Sequence, residues 1–188
     1  MNLNYKYDYH TACKKVIQKE LEKLNVHYTY EGISEVKLRK QLSKNQFAQL
    51  QETLQEYGIH IIDNPKELLV QKIKDSIVEM IHKGEDQSIY KTSIFLSEKL
   101  DYSYGYLSNV FSEVAFTTIE NYIILQKIEY VKYLLMKENL SLTEIAYKLN
   151  YSSVAHLSSQ FKNKTGLTPS SFQRIMQQRK KKQGEEKI

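Results

Sequence analysis

Two groups of short polar side chains recur at a nearly constant interval in the second half of the chain. The first is Ser103, Tyr104, Tyr106, Ser108 and Asn109; the second is Ser152, Ser153, His156, Ser159, Gln160, Lys162 and Lys164. Hydroxyls, amides and an imidazole donate and accept hydrogen bonds at base edges, whereas lysine ammonium groups suit phosphates. Lys162 and Lys164 are therefore expected to contact phosphate rather than to read bases. An ordinary solvated helix face has the same composition, so the weight rests on what positions these groups.

That framework is a repeat. Leu100-Asp-Tyr102-Ser103 overlays Leu149-Asn-Tyr151-Ser152 at an offset of 49 residues. Beyond the turn the offset becomes 50, pairing Leu107 with Leu157, Phe111 with Phe161, Thr118 with Thr168 and Tyr122 with Phe172. A one-residue slip inside a turn is what a duplicated helix pair tolerates. Leu107, Val110, Phe111 and Val114 form an i, i+3, i+4, i+7 stripe, and Val154, Leu157 and Phe161 repeat it. Each polar group thus lies on a helix whose opposite side is core. The spacing predicts a helix pair at 94–100 and 104–114, a connecting helix from about 118 to 137, and a second pair opened by the capping box Ser141-Leu-Thr-Glu144. The second helix of such a pair fits the major groove of DNA. Pro169 opens a last helix, and Arg174, Arg179, Lys180, Lys181 and Lys182 follow as a solvated basic end or a phosphate-binding arm.

The stretch Ser141-Leu-Thr-Glu-Ile-Ala-Tyr-Lys-Leu-Asn-Tyr-Ser-Ser, then Phe161-Lys162 and Thr165-Gly-Leu-Thr-Pro-Ser-Ser-Phe172, closely resembles the signature of the AraC/XylS family of bacterial transcription regulators. The resemblance runs from Thr92 to Arg174. It implies an all-α domain with two helix-turn-helix units, sequence-specific promoter binding, and double-stranded promoter DNA and RNA polymerase as partners. Four positions depart from the family pattern. Asn150 replaces a frequent turn glycine, Leu157 a frequent Phe, and Gln160 a longer basic residue. Phe116 occupies the stop position that Gly166 fills in the second copy; a positive φ there would strain it. The first polar face also lacks any Arg or Lys.

The N-terminal part reads differently. Leu3, Tyr5, Tyr7 and Tyr9 alternate with polar residues, as do Val26, Tyr28 and Tyr30; Val36 and Leu38 make a third short strand and Ile59–Ile62 a fourth. Helical spacing separates them at Cys13–Leu24 and after the capping box Ser43/Gln46. The order β-α-β-β-α-β is the split ferredoxin-like unit, and it loosely resembles the heavy-metal-associated domain. That resemblance puts His10 and Cys13 where the family has its two cysteines, which makes them candidate soft-metal ligands. Two ligands are too few for a closed site, so no cofactor is expected. The alternative is that Cys13 packs under the helix and His10 helps to cap it.

The chain is therefore expected to be α+β: a ferredoxin-like sensing or interaction domain over 1–64, a connecting helix and hinge over 65–87, and a double helix-turn-helix domain over 88–188. An effector or protein partner of the first domain is expected but not named by the sequence. The formal charge of +5 is split between the two halves, so net charge alone is weak support for nucleic acid. A single cysteine fits a reducing compartment. The N-terminal residues lack a signal-peptide layout and no apolar run is long enough to span a membrane, so a cytoplasmic protein is expected. No Gly-rich phosphate loop, nucleophile elbow or paired-His helix motif points to an enzyme. The runner-up function is an architectural DNA-binding protein with little sequence preference.

Overall fold

The computed structural model of the 188-residue chain describes residue 3 and residues 8–84, 89–138 and 140–185, without the side chains of 10, 89, 90 and 180–185. Two compact units, 1–68 and 69–188, divide it.

In the first unit, α1 (Tyr9–Lys23) and α2 (Lys44–Glu56) flank a hairpin of β1 (Tyr28–Tyr30) and β2 (Val36–Leu38). The helices start where the sequence supplies oxygen acceptors. Asp8 accepts from the Thr11 amide, and Ser43 and Gln46 form the expected capping box. Leu21, Leu50 and Leu54 are the buried centre, with Val16, Ile17, Tyr28 and Leu38 packed around them. The hairpin is antiparallel, with Tyr28 opposite Leu38 and Tyr30 opposite Val36.

This unit is not ferredoxin-like: among the described residues it has two strands rather than four. Tyr5 and Tyr7 of the first expected strand lie outside the described residues. Of its remaining members, Leu3 is exposed, and Tyr9 opens α1 because Asp8 caps the helix there. Among the described residues Ile59–Ile62 has no strand partner; Ile59 and Ile61 pack on the small core from irregular chain. The reason is general. Alternation reports which side chains are buried, whereas a strand also requires a neighbouring backbone to pair with. The four-stranded sheet behind the likeness to the heavy-metal-associated domain is absent from the described residues. His10 and Cys13 lie one turn apart on α1, and Cys13 is half-buried. Among the described residues no three His, Cys, Asp or Glu side chains gather to hold a metal ion.

The second unit is all helical among its described residues. It comprises most of α3 (Pro65–Lys83), then α4 (Ile89–Leu100), α5 (Tyr104–Ala115), α6 (Ile119–Lys137), α7 (Leu142–Lys148), α8 (Val154–Thr165) and α9 (Pro169–Glu185). The helix expected to connect two domains contributes Leu69, Val70, Ile73, Ile77, Met80 and Ile81 to the core of this unit. Its Glu79 receives hydrogen bonds from Lys83 and from Lys99 of α4, which together hold the carboxyl at about 2, well below the carboxylate range. Phe111 and Phe161, the equivalent aromatics of the repeat, are both fully buried. No described helix is long and apolar enough to cross a membrane.

The turns of the two helix pairs begin alike, although the second is one residue longer. Asp101 and Asn150 both have positive φ, 60° and 53°, so the turns before α5 and α8 share a left-handed residue. Asp and Asn tolerate that region because their short side chains bond locally. After the reading helices the copies part. Gly166 ends α8 at φ 77° without strain, but Phe116 ends α5 at φ 51° and is 92% exposed. An exposed ring there returns no packing energy against a left-handed cost of about 1 kcal/mol. Phe116→Gly is expected to raise the melting temperature by about 4 °C, while Phe116→Ala, which keeps the Cβ, leaves it nearly unchanged. A thermal melt in which both substitutions behave alike would refute the strain.

Candidate nucleic-acid interface

The two reading helices, α5 and α8, begin in the same way. Ser103 accepts from the Tyr106 amide and Ser153 from the His156 amide, so each serine serves as an N-cap. The same cap in both copies turns equivalent positions outward, three and six residues after each serine. On α5, Tyr106 and Asn109 are exposed and Ser108 is half-buried; on α8, His156, Ser159 and Lys162 are exposed. These side chains stand opposite the stripes that bury Leu107 and Phe111 on α5 and Leu157 and Phe161 on α8.

Other expected site residues are engaged within the protein. The Tyr104 hydroxyl donates to the Glu120 carboxylate at 2.6 Å, linking α5 to the first turn of α6. Burial, aided by that carboxylate, pushes the Tyr104 phenol well up, and the same bond holds Glu120 down. Lys164 is exposed, but its ammonium donates to Asn121 Oδ1 at 2.8 Å, and the Asn121 amide nitrogen donates to Thr117 at 2.8 Å. Lys164 therefore ties the end of α8 to the start of α6. Its position explains this. Seven residues after Leu157, it returns to the inward side of the helix, and only the helix end keeps it wet. Gln160 is half-buried, and its Oε1 accepts from the Tyr151 hydroxyl at 2.7 Å. Ser152 is exposed, with its hydroxyl 3.0 Å from His156 Nδ1.

Four contributors escaped the sequence reading. Tyr151, seen there only as a turn residue, is 8% exposed, and burial pushes its phenol up to about 12. Its ring meets His156 edge-on, with centroids 5.3 Å apart, and carries the Lys127 ammonium at 5.1 Å from its centre. Lys127 of α6 is itself buried. The available signal was a lysine inside the stripe Ile123, Lys127, Val131, where an apolar residue belongs. Tyr102 stacks on Tyr106, with centroids 5.2 Å apart, and widens the aromatic surface at the start of α5. Glu113 is exposed near the C-terminal end of α5, which adds an acid to a helix face already without Lys or Arg.

α6 thus packs against both pairs: Phe111 of α5 lies edge-on to its Tyr122, and its Lys127 and Asn121 reach Tyr151 and Lys164. Residues 96–175 match the helix-turn-helix domain family. The match spans under half of the chain. Among curated relatives, the Msm operon regulatory protein of Streptococcus mutans is 29% identical over 103 residues, covering 55% of this chain and 36% of that protein. The chain therefore spans about a third of the length of this relative. Among solved structures, the C-terminal domain of AraT, a response regulator from Geobacillus stearothermophilus, superposes with a TM-score of 0.50 at 21% identity, over 60% of this chain and 86% of that one. The DNA-binding domain of AdpA, a global transcriptional factor solved with a target DNA, gives a TM-score of 0.50 at 16% identity, over 58% and 94%. At these identities the two structures speak for the fold of the helix-turn-helix domain.

Proposed function

We propose that the chain is a sequence-specific, DNA-binding transcription regulator whose helix-turn-helix domain reads two successive major-groove segments of a promoter. The single observation that carries this is the pair of identically capped helices, α5 and α8, presenting exposed polar faces from one helical core. On this reading Tyr106, Asn109, His156 and Ser159 face base edges, and Lys162 contacts phosphate. Asn109 has the two-sided amide that matches the adenine edge. Ser103 and Ser153 fix the start of each reading helix. Tyr104, Gln160 and Lys164, with Ser152 beside His156, hold the faces in place and contact DNA at their margins; Ser108 flanks the first face. RNA polymerase is the proposed second partner. Residues 1–64 form a separate sensing or interaction domain, and 88–188 carry the DNA-binding part, in a cytoplasmic protein.

The test is selection of bound duplexes from a random pool by the purified full chain. One enriched motif with two half-sites about one helical turn apart is expected. Specific binding should exceed non-specific binding by on the order of a thousandfold. Binding without an enriched motif, with a steep salt dependence, would replace this reading with the architectural one.

A further inference from the structure

The first unit contains a cleft of about 350 Å³ between the end of α1, the hairpin and the start of α2. Its floor is apolar, formed by Leu24, Val26 and Leu42, and its polar wall holds His27, Arg39, Lys40 and Gln41. No Asp or Glu lines it.

The hairpin register builds this wall. Tyr28 pairs with Leu38, so the next step outward sets His27 opposite Arg39, and the Arg39 amide donates to the His27 carbonyl at 2.9 Å. Side chains alternate across a strand. Tyr28 and Leu38 therefore turn into the core, while His27, Thr29, Lys37 and Arg39 share the exposed face. Along that face Lys37 has an acid, Glu31, at 3.9 Å, and on α1 Lys23 is paired with Glu20. Among the described residues Arg39 and Lys40 have no carboxylate partner. Adjacent cations at the rim of an apolar hollow repel each other unless an anion lies between them. Gln46, from the first turn of α2, also lines the cleft, and its side-chain oxygen accepts from the Ser43 amide at 3.0 Å. The volume lies within the range of small-ligand pockets.

We propose that this cleft binds a small molecule carrying a phosphate monoester, with Arg39 and Lys40 clasping the phosphate and Leu24, Val26 and Leu42 covering the carbon skeleton. Such a ligand is the effector that the first unit senses. The site is independent of the DNA-binding faces, so its failure leaves that reading standing.

The experiment is a titration of the full-length protein, isotope-labelled for amide resonances, with inorganic phosphate and then glucose 6-phosphate at constant ionic strength, with chloride as control. Saturable shifts confined to residues 25–27 and 39–46 are expected, tighter for the sugar phosphate than for inorganic phosphate. The double substitution Arg39→Gln/Lys40→Gln, at exposed positions, should weaken both by tenfold or more and leave the other resonances in place. Shifts that chloride reproduces, or binding that the double variant retains, would overturn the proposal. So would a third outcome, in which only a duplex of random sequence shifts these resonances, because the phosphate would then belong to a DNA backbone.

Discussion

Lys162→Glu should weaken binding of the full chain to duplex DNA by roughly ten- to a hundredfold, on the selected motif and on a scrambled duplex alike. The lysine is exposed near the outer side of α8, beyond the buried Phe161. Reversing its charge removes one phosphate contact and adds a repulsion, and neither effect depends on sequence. The slope of log affinity against log salt should become shallower by about one unit. The melting temperature should fall only slightly, since the exposed side chain gives up no more than its favourable place in the last turn of α8. His156→Ala and Asn109→Ala form the contrast. Each is expected to cost about 1–3 kcal/mol on the selected motif and far less on the scrambled duplex. Fluorescence anisotropy over a salt series measures all three. Equal affinity for wild type and Lys162→Glu across that series would remove α8 from the interface.

Phe111→Ala and Phe161→Ala should each destabilise the second unit by about 3–5 kcal/mol, a large share of a domain stability of 5–15 kcal/mol. Both rings are fully buried, and each meets a second ring edge-on: Phe111 with Tyr122 at 5.5 Å, Phe161 with Phe172 at 5.6 Å. Truncation removes that contact and leaves a void which helices fixed at both ends cannot close. The matching positions in the repeat predict matching losses. At an ordinary denaturant dependence this lowers the urea midpoint by about 2 M, followed by the helical signal in circular dichroism. A loss below 1 kcal/mol in one copy only would mean that the two pairs are not packed alike.

The contrast between the two units shows which signals a sequence carries. The helix-turn-helix part was legible because its evidence was redundant. The stripe through Leu107 and Phe111 recurs through Leu157 and Phe161, and the serine caps recur with it. Helix starts also depend on neighbours a few residues away, so Ser43/Gln46 and Ser141/Glu144 act as capping boxes as expected. The strands of the first unit had no such support. Val26–Tyr30 and Val36–Leu38 are close enough to pair across a short turn, whereas Ile59–Ile62 shows the same kind of burial and finds no strand partner among the described residues.

The candidate site divides along the same line. Exposure of Tyr106, Asn109, His156, Ser159 and Lys162 follows from helical period alone. The bonds of Tyr104 to Glu120, Gln160 to Tyr151 and Lys164 to Asn121 join residues 9 to 43 positions apart. No local pattern specifies which of many polar groups will meet at that distance.

Period and capping are properties of a few neighbouring residues, and so the chain by itself determined where its C-terminal helices start, which sides they bury and which polar groups they turn outward. Tertiary structure decided the rest: that α3 joins the second core, that Lys127 lies over the Tyr151 ring, that Phe116 is held in a left-handed turn, and that His27, Arg39 and Lys40 line a common cleft. Those outcomes depend on which surfaces meet once the helices and hairpin have formed, and burial energy rewards any apolar partner of suitable shape without naming it in advance.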